Sequence, residues 1–210
     1  MFILSAAGER LTARCGIKRK KENTMATHYR MTIAGCERDL PICPLNDKLS
    51  IGAFVIFGDC ELTQACAAEL LKKAPAFDYL ITAESKGIPL AYEMARQCGA
   101  EKWLLARKGA KLYMRDVFSV EVRSITTDHV QKLYLDGEDA ALMRGKRILI
   151  VDDVISTGES LAALEKLVTE AGGEICGRMA ILAEGDAQQR EDIIYLEKLP
   201  LFTPDGTPIG

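Results

Sequence analysis

Two adjacent carboxylates, Asp152 and Asp153, are followed by Val154-Ile155 and then by Ser156-Thr157-Gly158-Glu159-Ser160. Carboxylates accept hydrogen bonds from sugar hydroxyls and can share in holding a metal ion. A Ser/Thr/Gly turn that opens a helix offers hydroxyl donors, free backbone N–H groups and the positive end of the helix dipole, all suited to a phosphate. Gly158 lets the backbone approach such a ligand closely. Together they fit a molecule with a phosphate at one end and hydroxyls or a metal at the other. Two more polar loops carry cations. In Glu84-Ser85-Lys86-Gly87 a lysine stands near a helix N-terminus, where the dipole does not favour it for stability. Arg107-Lys108-Gly109-Ala110-Lys111 holds three cations in five residues. Solvated surface turns are the bland alternative for both.

These groups need a scaffold that brings strand ends together. The strand expected over 147–151 carries four apolar residues, 148–151, three of them β-branched, the pattern of a buried parallel strand that ends at the carboxylate pair. Strands are also expected over 50–58, 78–83, 102–106 and 174–183, with a β-ribbon over 118–122 and Val130–Leu135. Helices are expected over Cys60–Lys73, stopped by Pro75, and over Ile88–Cys98, ended by Gly99. Leu161, Leu164, Val168 and Ala171 recur at helical spacing before Gly172-Gly173. Strand and helix alternate, so the fold class is α/β: a central parallel sheet with helices on both faces. Ligands of such sheets bind at the carboxyl ends of the strands, where all three polar loops lie. Residues 202–210, with two Pro and two Gly, read as a loose tail.

The 210 residues suit one domain with a small appendage. Residues 1–24 carry a net charge of +4, which leaves about −7 for the rest. The acidic body argues against nucleic acid as the main partner. The basic cluster follows the short apolar stretch, unlike a signal peptide, so 1–24 reads as a disordered or non-native leader. The divisions expected are this leader, an N-terminal segment over 25–50, a core over 51–200 and the tail over 201–210. Seven cysteines without a Cys-x-x-Cys point to free, mostly buried thiols in a reducing cytoplasm. With two histidines a Cys/His zinc site has little support. No apolar run approaches a membrane span.

The stretch from Arg147 to Ser160 resembles the phosphoribosyl pyrophosphate (PRPP) motif of the type I phosphoribosyltransferases: a hydrophobic strand, two acids, two apolar residues and a small-Thr-Gly-x-Ser/Thr loop. The resemblance implies the family's parallel sheet plus a small N-terminal hood. It assigns Ser156, Thr157, Gly158, Glu159 and Ser160 to the 5′-phosphate, and Asp152 and Asp153 to the ribose hydroxyls. Ser85, Lys86 and Gly87 would bind pyrophosphate, joined by Arg107, Lys108 and Lys111 from a mobile loop similar to that of adenine and xanthine enzymes. Phe118-Ser119-Val120-Glu121 resembles the Tyr-Ser-Leu-Glu of adenine enzymes, which makes Glu121 the residue beside the purine imidazole. Here Val122-Arg123 replace the family's Tyr-Gly, and Arg123-Ser124-Ile125-Thr126 is similar to the Tyr-Ser-Phe-Thr of xanthine enzymes and of a purine repressor. The hood around 38–42 would read the base.

The implied reaction joins a purine, adenine by preference, to ribose 5-phosphate from PRPP, in purine salvage. Mg²⁺ would arrive with PRPP and lie near Asp152 and Asp153. A cytoplasmic homodimer is implied. The alternatives are a PRPP-sensing purine regulator without catalysis, or a xanthine or orotate phosphoribosyltransferase. Residues 183–199, with Arg190, Asp192 and Tyr195-Leu196, are similar to the end of the repressor, but residues 25–50 are too few for its DNA-binding domain.

Overall fold

Residues 28–123 and 130–209 are described by a computed structural model of the chain. In chain order they form β1 (His28–Ile33), β2 (Cys36–Asn46), β3 (Leu49–Gly52), α1 (Cys60–Lys73), β4 (Tyr79–Ala83), α2 (Ile88–Cys98), β5 (Leu104–Ala106), β6 (Phe118–Arg123) and β7 (Val130–Leu135). There follow α3 (Gly137–Met143), β8 (Arg147–Ile155), α4 (Glu159–Glu170), β9 (Glu174–Glu184), a 3₁₀ turn (Gly185–Gln189), β10 (Ile194–Leu199), β11 (Leu201–Phe202) and β12 (Pro208–Ile209). The leader expected over 1–24 and the Ser124–Thr126 part of the xanthine-like motif lie outside the described residues.

The apolar run of β8 needs cover on both faces, and it gets it. Ile148 and Ile150 enter one core with Leu161, Leu164, Leu167 and Val168 of α4. Leu149 and Val151 enter the other with Leu62, Cys66 and Leu70 of α1 and Leu90 and Met94 of α2. This is the period-2 alternation of a strand buried between two helical layers. The sheet order is β10-β9-β8-β4-β5, with every pair parallel. From β4 the chain crosses through α2 to β5 at one edge; from β8 it crosses through α4 to β9 on the other side. The direction of winding therefore reverses between β4 and β8, and a crevice opens at their carboxyl ends.

The hood is a second sheet, ordered β1-β2-β3-β11-β12. It is fastened to the core by Arg38 of β2. The Arg38 Nε and Nη2 donate to Asp59 Oδ2 and Oδ1 at 2.6 and 2.9 Å, and Nη2 also donates to Glu61 at 2.8 Å. Asp59 is at the same time the N-cap of α1, its Oδ1 accepting from Leu62 N–H at 3.1 Å. One carboxylate thus closes a helix end and docks the hood.

Four expectations are corrected. The strand over 50–58 stops at Gly52; beyond it Phe54 and Ile56 still bury into the helix-side core, but the pairing gives way after Ala53 N–H meets Pro41 C=O. The motif strand does not stop at 151: β9 is long enough to pair with β8 as far as Ile155, so both aspartates lie inside the strand. The tail is not loose, because β11 pairs with β3 and Phe202 is fully buried, with the Tyr29 ring edge-on to it at 5.1 Å. Of the six cysteines described, Cys66 is buried, its thiol pushed up to about 12 by that burial, while Cys43, Cys60 and Cys98 are exposed.

Candidate active site

The phosphate turn forms because β8 must hand over to α4 in a tight bend. Gly158 supplies it, with φ 78° at the helix N-cap. A side chain there would be strained, and its Cβ would lie 3.1 Å from Arg190 Nη1. Gly158 brings no side-chain cap to α4, and Gly87 brings none to α2. The other two described α-helices, α1 and α3, are capped by Asp59 and Asp136. The helices that open onto the crevice are thus the ones whose first N–H groups lack an N-cap side chain and can serve an anion.

Two cavities occupy the crevice and share Asp152, Val154 and Ser160 in their walls. The smaller, about 50 Å³, is lined further by Ile155, Ser156, Thr157, Gly158, Glu159 and Leu161. The larger, about 220 Å³, is lined further by Ala83, Glu84, Ser85, Lys86, Lys108 and Asp153. A phosphate cradle therefore adjoins a chamber lined by three carboxylates, Glu84, Asp152 and Asp153, and two lysines, Lys86 and Lys108.

Asp153 is buried, and Lys86 Nζ lies 2.8 Å from its Oδ2. Asp152 Oδ1 accepts the Asp153 N–H at 2.9 Å. Burial, and then the charge of Asp153 beside it, hold the Asp152 carboxyl well above the usual carboxylate range, with Lys86 opposing the shift. Gly87 belongs here by contact rather than by lining: its Cβ would fall 2.1 Å from Thr82 Oγ1 and 3.0 Å from Asp152 Oδ1. Only a residue without a side chain lets α2 start this close to β4 and β8. The Glu84–Ser85 peptide just before it is cis.

The three cations of the 107–111 segment separate. Lys108 lines the chamber. Arg107 instead exchanges two 2.8 Å backbone hydrogen bonds with Tyr134 of β7, and its Nε lies 3.1 Å from Glu84 Oε1. Lys111 lines neither cavity; its N–H donates to Met114 Sδ at 3.4 Å. Glu84 was not singled out from the sequence, though it begins the loop that was. A third cavity of about 330 Å³ extends from Lys108 and Glu159 along Val130, Gln131, Lys132 and Leu133 of β7.

Glu121 is not at the crevice in this arrangement. It stands opposite Lys132 in the β6–β7 ribbon, 2.8 Å from its Nζ, and its carbonyl accepts from Lys166 Nζ at 2.8 Å. Lys166 lies seven residues into α4 from Glu159, so Glu121 sits about 10 Å along that helix from the phosphate turn. Of the hood residues expected near the base, Arg38 holds Asp59 and Glu61, Asp39 pairs with Arg30 at 2.8 Å, and Leu40 is buried.

Residues 63–200 match the family model of the phosphoribosyl transferase domain. The adenine phosphoribosyltransferase of Nostoc punctiforme is 34% identical over 182 residues, which cover 82% of this chain and 98% of that protein. A hypoxanthine/guanine phosphoribosyltransferase of Methanococcus voltae is 33% identical over 113 residues, 54% of this chain and 56% of its own length. Among solved structures, the adenine phosphoribosyltransferase of Thermoanaerobacter pseudethanolicus superposes with a TM-score of 0.58 at 24% identity, covering 68% of this chain and 84% of that one. The Giardia lamblia enzyme complexed with 9-deazaadenine gives 0.58 at 18% identity, covering 83% and 98%. With the acidic pair, the phosphate turn and the lysine loop meeting at one switch point of the sheet, the chain belongs to the type I phosphoribosyltransferases, in the purine branch of that family.

Proposed function

We propose that this chain transfers ribose 5-phosphate from PRPP to adenine, releasing pyrophosphate. The observation that carries the reading is a pair of neighbouring cavities: a small cradle at the N-terminus of α4 shares Asp152, Val154 and Ser160 with a chamber lined by both aspartates and by Lys86 and Lys108. PRPP has that order of groups: phosphate, diol, diphosphate. Similarity to adenine enzymes along nearly the whole of one relative, together with Phe118-Ser119-Val120-Glu121, favours adenine over other purines.

The 5′-phosphate would rest on the uncapped N–H groups and hydroxyls of 156–160. Asp152 and Asp153 would accept hydrogen bonds from the ribose hydroxyls, and the charge of Asp153 would lie near C1 as the bond to pyrophosphate breaks. Lys86 would leave Asp153 for the diphosphate, and Lys108 would meet it from the lid side. Among the described residues no three His, Cys, Asp or Glu converge as a metal centre of their own. That suits Mg²⁺ held mainly by phosphates and water, with Asp152 and Asp153 as its protein neighbours. Bound there, it would neutralise diphosphate charge. Cytoplasmic purine salvage by a homodimer completes the reading.

The deciding experiment follows pyrophosphate release from PRPP with adenine, hypoxanthine, guanine, xanthine and orotate in turn. Adenine should give the highest kcat/KM. Turnover confined to another base would move the specificity while leaving the PRPP site in place. PRPP binding without turnover on any base would indicate the regulator.

A further inference from the structure

We propose that Glu84 is the positioning residue of the diphosphate subsite, clasping the root of the cationic loop so that Lys86 and Lys108 line one chamber. The inference rests on the PRPP reading. Glu84 is the first residue after β4, and its own N–H donates to Ala106 C=O at 2.9 Å, at the end of β5. Its carboxylate then spans to the neighbouring strand's loop. Oε2 accepts the Lys108 N–H at 2.9 Å, and Oε1 lies 3.1 Å from Arg107 Nε. Both partners of that ion pair are largely buried, with side chains 23% and 21% exposed. Arg107 is in turn bound on both backbone sides by Tyr134 of β7. One carboxylate therefore joins the lysine loop, the root of the cationic loop and, through Arg107, the β6–β7 ribbon.

The consequence is a division of labour within Arg107-Lys108. Arg107 serves the scaffold and Lys108 serves the ligand. A carboxylate beside a diphosphate would otherwise oppose binding by like charge. Here the Arg107 guanidinium neutralises it, and the ion pair carries no net charge while Glu84 still accepts the Lys108 N–H. Loss of a charge-assisted hydrogen bond at such a place lowers affinity by about tenfold to a hundredfold.

The test is titration calorimetry on the full chain with two probes, magnesium pyrophosphate for the chamber and ribose 5-phosphate for the cradle. Glu84→Ala should weaken pyrophosphate by about tenfold or more while ribose 5-phosphate stays within about twofold. Glu84→Gln keeps an acceptor for the Lys108 N–H but loses the charge, and should fall between. Arg107→Gln combined with Glu84→Gln should cost less than the sum of the single changes, since the two residues act as a pair. Equal losses for both probes would make Glu84 a general fold residue and overturn the assignment. Unchanged pyrophosphate affinity in Glu84→Ala would overturn it too. If the unaltered chain binds neither probe, the PRPP reading itself fails and takes the clasp with it; if it binds both and Glu84→Ala binds both with undiminished affinity, the clasp alone fails.

Discussion

At the scale of single residues, the crevice places groups where chemistry needs them and stability does not. Asp152 is the clearest case. Its carboxyl is held neutral more readily in the fold than in the unfolded chain, by burial and by Asp153. Between the ordinary carboxylate value and the raised one, the folded protein binds the extra proton, so stability falls as pH rises through that window. Asp152→Asn should remove this dependence. The variant should melt about 3 °C or more above the unaltered chain in alkaline buffer, with the gap closing towards mildly acidic pH, and it should lose most turnover. Thermal scans across pH, read beside rates, check both halves. Gly87→Ala should act in the opposite sense. Its Cβ would overlap Thr82 Oγ1 and crowd Asp152, so it should destabilise by about 1–3 kcal/mol and weaken pyrophosphate binding as well. A denaturant melt gives the first and calorimetry the second. Both residues stand in motifs that the sequence displays openly. Glu84 stood in the same motif, but its role depends on where β5 ends relative to β4, which no local pattern records.

At the scale of elements, the hood and the ribbon carry the less legible part. The parallel core could be read closely: Cys60–Lys73 and Ile88–Cys98 match α1 and α2 end to end, because Pro75 and Gly99 are local stop signals. The hood's last two strands escaped, since β11 and β12 are two residues each, β11 being held by β3, a partner some 150 residues away in sequence, and β12 by β11. Phe202→Ala should therefore cost about 3–5 kcal/mol, as truncation of a fully buried aromatic does; a stability near that of the unaltered chain would contradict the hood assignment. Asp59→Asn keeps an N-cap for α1 but loses the charge facing Arg38 and should cost about 1–2 kcal/mol at neutral pH. Arg38 holds the Asp59 carboxyl below the usual range. That stabilisation is present above the unfolded value and fades as pH falls through the folded one, so the difference between variant and unaltered chain should shrink in acid. Glu121 poses the ribbon's question. In the ribbon it stands beside Lys132 and lines neither crevice cavity. Under the adenine reading, Glu121→Gln should lower kcat about a hundredfold with PRPP affinity retained; full adenine turnover by that variant would take Glu121 out of the mechanism and leave the PRPP site standing.

At the scale of the whole molecule, the sheet's reversal of winding between β4 and β8 gathers residues 70 positions apart into one site, and the two helices at that point present uncapped ends. No described helix is long and apolar enough to cross a membrane. The central claim is that this crevice binds PRPP and turns it over. It is tested most directly by measuring pyrophosphate release from PRPP and adenine, with Mg²⁺, for the unaltered chain and for the Asp152→Asn, Asp153→Asn double variant, alongside circular dichroism. The account predicts adenine-dependent release by the first and near-complete loss in the second with the fold retained. Near-equal rates from the two proteins would contradict it.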